Sequence, residues 1–213
     1  MGEAPPAAPG HAMDVTMPAD TLRRRTFWWD RARPVDADVA PLRAVIFDAD
    51  DALADVECNG DLTPRPGLID LVMNLFVAGI WVGVVSTRER TWAETVVRQL
   101  IGEGLVETIV TADDLDGADG DAELYRLALW EFGITPQSAL AIEGSARGLR
   151  AATAAGVPAL LVTCGDTTEG EFTRAAAVRS GYDGAHPLLA AGCRELHRRW
   201  WIARKRSQLA AST

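Results

Sequence analysis

The stretch "AVIFDADDALAD", residues 44 to 55, decides the fold: four apolar residues run straight into four aspartates within eight positions. The apolar run reads as a buried strand, "RAVIF" (43 to 47), because buried parallel strands are continuously hydrophobic and do not alternate. Carboxylates packed together repel one another, and a fold gains nothing from that. Such a cluster calls for something electropositive beside it, such as a metal ion or a cationic partner.

Working outward, strand and helix alternate. "GLIDLVMNLFVAG" (67 to 79) predicts a helix closed by Gly79, and "IWVGVV" (80 to 85) a second strand. "TWAETVVRQLI" (91 to 101) places Trp92, Val96 and Leu100 on one helical face, and "ETIVT" (107 to 111) is a strand. The pattern continues through helix "AELYRLALWEF" (122 to 132), strand "ALAI" (139 to 142), helix "ARGLRAATAAG" (146 to 156) and strand "PALLV" (158 to 162). This rhythm predicts an α/β, Rossmann-like domain, a parallel sheet with helices on both faces, joined by right-handed crossovers. Ligands of such folds bind beyond the carboxyl ends of the strands. Asp48, Asp50, Ser86 and Glu143 all fall at strand ends of this kind.

The 213 residues, 48% of them hydrophobic, suffice for one core domain, placed at 41–190. Residues 1–40 form an N-terminal arm, rich in Pro, Ala and Gly at its start and expected to be disordered or only partly ordered. Residues 191–213 form a basic C-terminal helix and tail. No apolar run reaches the roughly 18 residues of a membrane span, and no secretory leader pattern opens the chain, which makes the cytoplasm the expected location. Cys58, Cys164 and Cys193 are odd in number and form no CxxC pair, so they read as reduced thiols.

The formal net charge of -9 is unevenly spread. Residues 34 to 193 carry 10 Arg against 25 Asp or Glu, which argues against general nucleic-acid binding. The ends, "RRRTFWWDRAR" (23 to 33) and "CRELHRRWWIARKR" (193 to 206), are basic and each holds a Trp pair. In the second, Leu189, Leu196, Trp200 and Ala203 fall near one helical face. The favoured reading is that both ends pack on the acidic body and on each other; the alternatives are a partner-binding or self-association surface, or nucleic-acid contact by stacking and phosphate pairing.

Asp48 and Asp50, two apart at a strand end, suit a nucleophile beside a general acid or a Mg2+ site, against the plainer reading of a solvated turn. "FDADDALAD", "VVSTRER" and the run from "DGDAELYRLAL" through "AIEGSARGLRAATAAGVPALLVT" resemble the haloacid dehalogenase (HAD) superfamily of phosphohydrolases, in its β-phosphoglucomutase/CbbY-like branch. "TPRPGLIDLV" also looks like the family's entry to the helix after the first motif.

The resemblance implies a Mg2+-dependent phosphomonoester phosphatase. Asp48 matches the nucleophile that forms an aspartyl-phosphate, and Asp50 the acid that protonates the leaving oxygen and then activates water. Ser86 matches the hydroxyl that binds phosphoryl oxygens, with a helix cap as its plainer role. Asp48, Asp50 and Glu143 match the metal site.

The chain also departs from the family. Asp119 stands at the position of the third-motif Lys, and the chain's single Lys is Lys205. Gly144 replaces the second acid of the fourth motif, a direct metal ligand, while Asp51 and Ala52 stand where Gly and Thr are usual. A Lys-to-Asp exchange alters the local charge by two units, and a unit pair at 4 Å is worth roughly 4 kcal/mol at an effective dielectric of 20. That is a loss of several orders of magnitude in rate, at about 1.4 kcal/mol per tenfold. Mg2+ is therefore expected to bind weakly and hydrolysis to be slow; the alternative is a non-catalytic binding or regulatory protein. Arg88 and Arg90 are candidates for a replacement cation, and Asp51 and Asp119 for a replacement ligand, against solvated charges at a helix start. Asp119→Lys with Gly144→Asp is expected to raise activity.

Only 36 positions separate Asp50 from Ser86, too few for the branch's helical cap. The site is thus expected to be open to a phosphorylated substrate or a protein partner.

Overall fold

In the computed structural model, residues 39–56, 62–116, 120–163 and 174–211 are described. Six strands form one parallel sheet: β1 (Ala44–Asp48), β4 (Trp81–Val85), β5 (Thr108–Val110), β6 (Ala139–Glu143), β7 (Ala159–Val162) and β8 (Ala177–Arg179). Their order is β5-β4-β1-β6-β7-β8. A separate hairpin pairs β2 (Ala54–Val56) with β3 (Leu62–Pro64). The helices are α1 (Leu68–Val77), α2 (Arg90–Leu100), α3 (Ala122–Phe132), α4 (Ala146–Ala154) and α5 (Ala190–Ala211).

Burial divides the core by sheet face. Val45 and Phe47 of β1 join Leu71 and Leu75 of α1, Val96 and Val97 of α2 and Cys193 of α5 on one side. Ile46 points the other way, to Leu124 and Leu129 of α3 and Leu149 of α4. The period of two along a strand thus sends alternate side chains of β1 to opposite helical layers. Both layers exclude water from β1, all five of whose residues are buried.

The fold is the parallel α/β sheet that the alternation of strands and helices predicts. The hairpin β2–β3 and the strand β8 were not anticipated, because "ADV", "LTP" and "AVR" lack the apolar run that marks the other strands. Between Asp50 and Ser86 the described chain is spent on the hairpin, α1 and β4, and no cap domain is inserted. The arm assigned to residues 1–40 lies outside the described residues except for its last two.

Helix α5 begins at Ala190, and its buried stripe is Ala190, Cys193 and His197. That is one position on from the face expected through Leu189, Leu196, Trp200 and Ala203. Leu196 still packs on the core, but Ala203 is exposed. The stripe is set by polar anchors a hydropathy pattern cannot register: Asn74 Oδ1 accepts from the Ala190 backbone N–H at 2.9 Å, and His197 Nε2 lies 2.9 Å from the Gln137 carbonyl oxygen. Arg194 donates to the Ala78 carbonyl at 2.9 Å. Among the described residues no helix is long and apolar enough to cross a membrane.

Candidate active site

The sheet order sets β1 between β4 and β6. Asp48 ends β1, Ser86 follows β4 and Glu143 ends β6, so the parallel register brings three candidate residues to one edge. A cavity of about 330 Å³ opens there, lined by Asp48, Asp50 and Asp51, by Ser86, Thr87 and Arg88, by Asp121 at the entry to α3, and by residues of α3 and α4, including Arg147. Glu143 is not in its lining.

Asp48 is 7% exposed. Burial, with the charge of Asp50 beside it, pushes its carboxyl up to about 7. Its Oδ1 accepts from the Asp50 backbone N–H at 3.1 Å, so the chain turns directly after the strand and does not carry the alternation on to Asp50. The Asp50 side chain instead reaches across to the end of β4. There its Oδ1 accepts from Ser86 Oγ at 2.7 Å, and its Oδ2 accepts from the Thr87 N–H at 3.0 Å and from Thr87 Oγ1 at 2.6 Å. Both oxygens of Asp50 are engaged.

Ser86 is buried and does not cap α2, whose N-cap is Glu89. Its Oγ donates to Asp50 and accepts from the Arg88 N–H at 3.0 Å, tying the two motif loops together. Thr87, which the sequence reading passed over, makes two of the three bonds to Asp50; its place after a recognised motif residue was the available signal.

Glu143 is fully buried under α3. Tyr125 donates its hydroxyl to Glu143 Oε1, and among the described residues Oε2 has no hydrogen-bond partner. Burial, then the charge of Asp48, holds the Glu143 carboxyl well above the ordinary carboxylate range. A Cβ on Gly148 would lie well inside 3.0 Å of Oε2, so a larger residue there requires the Glu143 carboxylate to shift.

The residues present do not fit Mg2+. Gly144 packs against the turn at Asp51 so closely that a Cβ would meet the Asp51 backbone well inside 3.0 Å, the closest that real Cβ atoms come. The volume of the fourth-motif aspartate is taken by main chain. That turn is held from behind: Arg65 donates to the Asp51 carbonyl at 2.8 Å and the buried Tyr182 hydroxyl to the Ala52 carbonyl at 2.7 Å. Asp50 is committed to Ser86 and Thr87, Oε1 of Glu143 to Tyr125, and among the described residues no three His, Cys, Asp or Glu converge to hold a metal.

Of the two arginines proposed as cations, Arg90 is structural: its guanidinium bonds Asp114 at 2.6 Å and the Ile109 carbonyl at 3.0 Å. Arg88 lines the cavity, with its guanidinium 4.1 Å over the Trp92 ring. Asp119 lies outside the described residues. Arg147, unmarked by the sequence reading, brings a further cation into the lining through a bidentate pair with Asp121 at 2.5 and 2.8 Å.

A model described as haloacid dehalogenase-like hydrolase matches residues 55–162, about half of the chain, beginning after Asp48, Asp50 and Asp51. The chain belongs to this family. Within it, the chain is similar to CbbY and to related phosphatases. It is 32% identical over 119 residues to Protein CbbY of Cereibacter sphaeroides, covering 54% of this chain and 52% of that one. It is 30% identical over 91 residues to validoxylamine A 7'-phosphate phosphatase of Streptomyces hygroscopicus subsp. limoneus, covering 43% of each. The chain thus spans about half or less of the length of the curated relatives it matches. The crystal structure of CbbY from Rhodobacter sphaeroides in complex with phosphate superposes with a TM-score of 0.62 at 21% identity, covering 71% of this chain and 99% of that one, a likeness of fold.

Proposed function

We propose that this HAD-family chain is a phosphomonoester-binding protein with a phosphatase site that has lost its metal, and that any hydrolysis it performs is slow and independent of Mg2+. The observation that carries this reading is the contact between Gly144 and the Asp51 turn, which fills the volume of a metal-binding carboxylate with main chain.

Each residue keeps part of the family's chemistry. In its ionised form, Asp48 attacks phosphorus to give an aspartyl-phosphate, the leaving oxygen takes up a proton, and water then hydrolyses the acyl-phosphate to return free Asp48. With its carboxyl at about 7, only part of Asp48 is ionised at neutral pH. Asp50 is placed to serve as acid only by giving up a bond to Ser86 or Thr87, which raises the barrier. Ser86 and Thr87 offer hydroxyls to phosphoryl oxygens once Asp50 moves.

The same bonds around Asp50 favour a second reading, a non-catalytic binding or regulatory protein. The two separate on one experiment. Incubation of the metal-free protein with p-nitrophenyl phosphate should give slow release of nitrophenol, absent in Asp48→Asn. Binding of the ester without release above the Asp48→Asn background supports the non-catalytic reading. Failure to bind the ester refutes both.

A further inference from the structure

Among the residues lining the cavity, Arg147 combines charge with an exposed side chain. It is the second residue of α4, after the N-cap Ser145, and its side chain is 65% exposed. Its partner Asp121 stands at the entry to α3. Exposed ion pairs are weakly held, because water solvates the separated charges nearly as well as they solvate each other. The guanidinium is also within electrostatic reach of Asp50 and Asp48, although among the described residues only Asp121 bonds to it. A carboxylate and a phosphoryl group both present paired oxygens to the guanidinium fork, so one can replace the other without new geometry.

We propose that Arg147 is the phosphate-binding cation of this site, standing in for the missing third-motif lysine, and that Asp121 holds it in reserve until a phosphate dianion takes the carboxylate's place. This rests on the reading of the cavity as a phosphomonoester site. Arg88 is the weaker candidate, because its guanidinium is already seated on Trp92, and Arg90 is not among the residues lining the cavity. The Asp121 latch lowers the affinity for small anions and gives preference to dianionic phosphate over singly charged ligands.

The test is calorimetric titration of the full chain with inorganic phosphate at neutral pH, without metal. The native protein should bind, Arg147→Gln should weaken binding about tenfold or more, and Asp121→Asn should tighten it. The tightening should disappear when Asp121→Asn is made in the Arg147→Gln background, because the carboxylate acts through the arginine. Arg150→Gln, on the same helix but outside the cavity lining, should bind as the native chain does. Equal phosphate affinity in Arg147→Gln and the native protein overturns the proposal while leaving the site reading intact. So does a tightening by Asp121→Asn that survives without Arg147, since that would be a simple field effect. A native chain that binds no phosphate overturns the site reading and the proposal together.

Discussion

Gly144 packs against the Asp51 main chain with no room for a side chain at Gly144. The family's metal ligand is therefore lost in volume as well as in identity. Replacing the glycine cannot restore it unless the Asp51 turn moves.

Gly144→Asp should therefore destabilise the protein by about 1–3 kcal/mol, the usual cost of overpacking, without producing a Mg2+ site. Joined to Asp119→Lys, it should fail to give the activity that the motif comparison alone predicts. Chemical denaturation with Mg2+ calorimetry checks both. A stable variant that binds Mg2+ stoichiometrically would refute the occlusion.

Tyr182 ties the same turn down through Ala52. Tyr182→Phe leaves a buried carbonyl unpaired and should cost about 1–3 kcal/mol. Because the loosened turn can then yield, Gly144→Asp should cost less in the Tyr182→Phe background than in the native one, a coupling that a double-mutant cycle reads directly. Strict additivity would show that Tyr182 does not hold the turn.

Asp48 gives stability a pH dependence of definite sign. Its carboxyl is raised from 3.8 to about 7, so the folded state holds this proton more tightly than the unfolded chain does. The resulting stability is complete below about 4, declines as pH rises, and is gone above about 7. Glu143, raised by its own burial, acts in the same direction. A shift of about three units is worth at most roughly 4 kcal/mol. Asp48→Asn should thus be clearly more stable than the native protein at pH 8 and close to it at pH 4. A variant less stable at pH 8 would mean that a cation already neutralises Asp48.

Helix α5 covers the sheet through Ala190, Cys193 and His197. Removing residues 190–213 should lower the melting temperature and promote aggregation by uncovering apolar surface. Unchanged stability and solubility, with retardation of RNA or DNA by the full chain alone, would assign the helix to nucleic acid instead.

Much of this was legible in the sequence, and the rest was hidden for physical reasons. Each six-stranded sheet member from β1 to β7 is a run of apolar residues bounded by turn chemistry, and a strand such as "ALAI" needs no long-range information to be recognised. The placing of Asp48, Ser86 and Glu143 at one edge follows from parallel pairing. The Asp121–Arg147 pair spans 26 residues and depends on how two helices enter the sheet edge. The closeness of Gly144 to Asp51 likewise depends on Arg65 and Tyr182, which come from distant parts of the chain. In the sequence, glycine at 144 reads as a lost ligand; in the fold it is also a filled space.

The most direct measurement is steady-state turnover of p-nitrophenyl phosphate by the native chain across a Mg2+ titration, with EDTA at one end and Asp48→Asn alongside. A phosphatase site without its metal predicts turnover far below the usual range of about 1–1,000 per second, unchanged between EDTA and saturating Mg2+. Turnover within that range that requires Mg2+ and vanishes in Asp48→Asn would contradict the account.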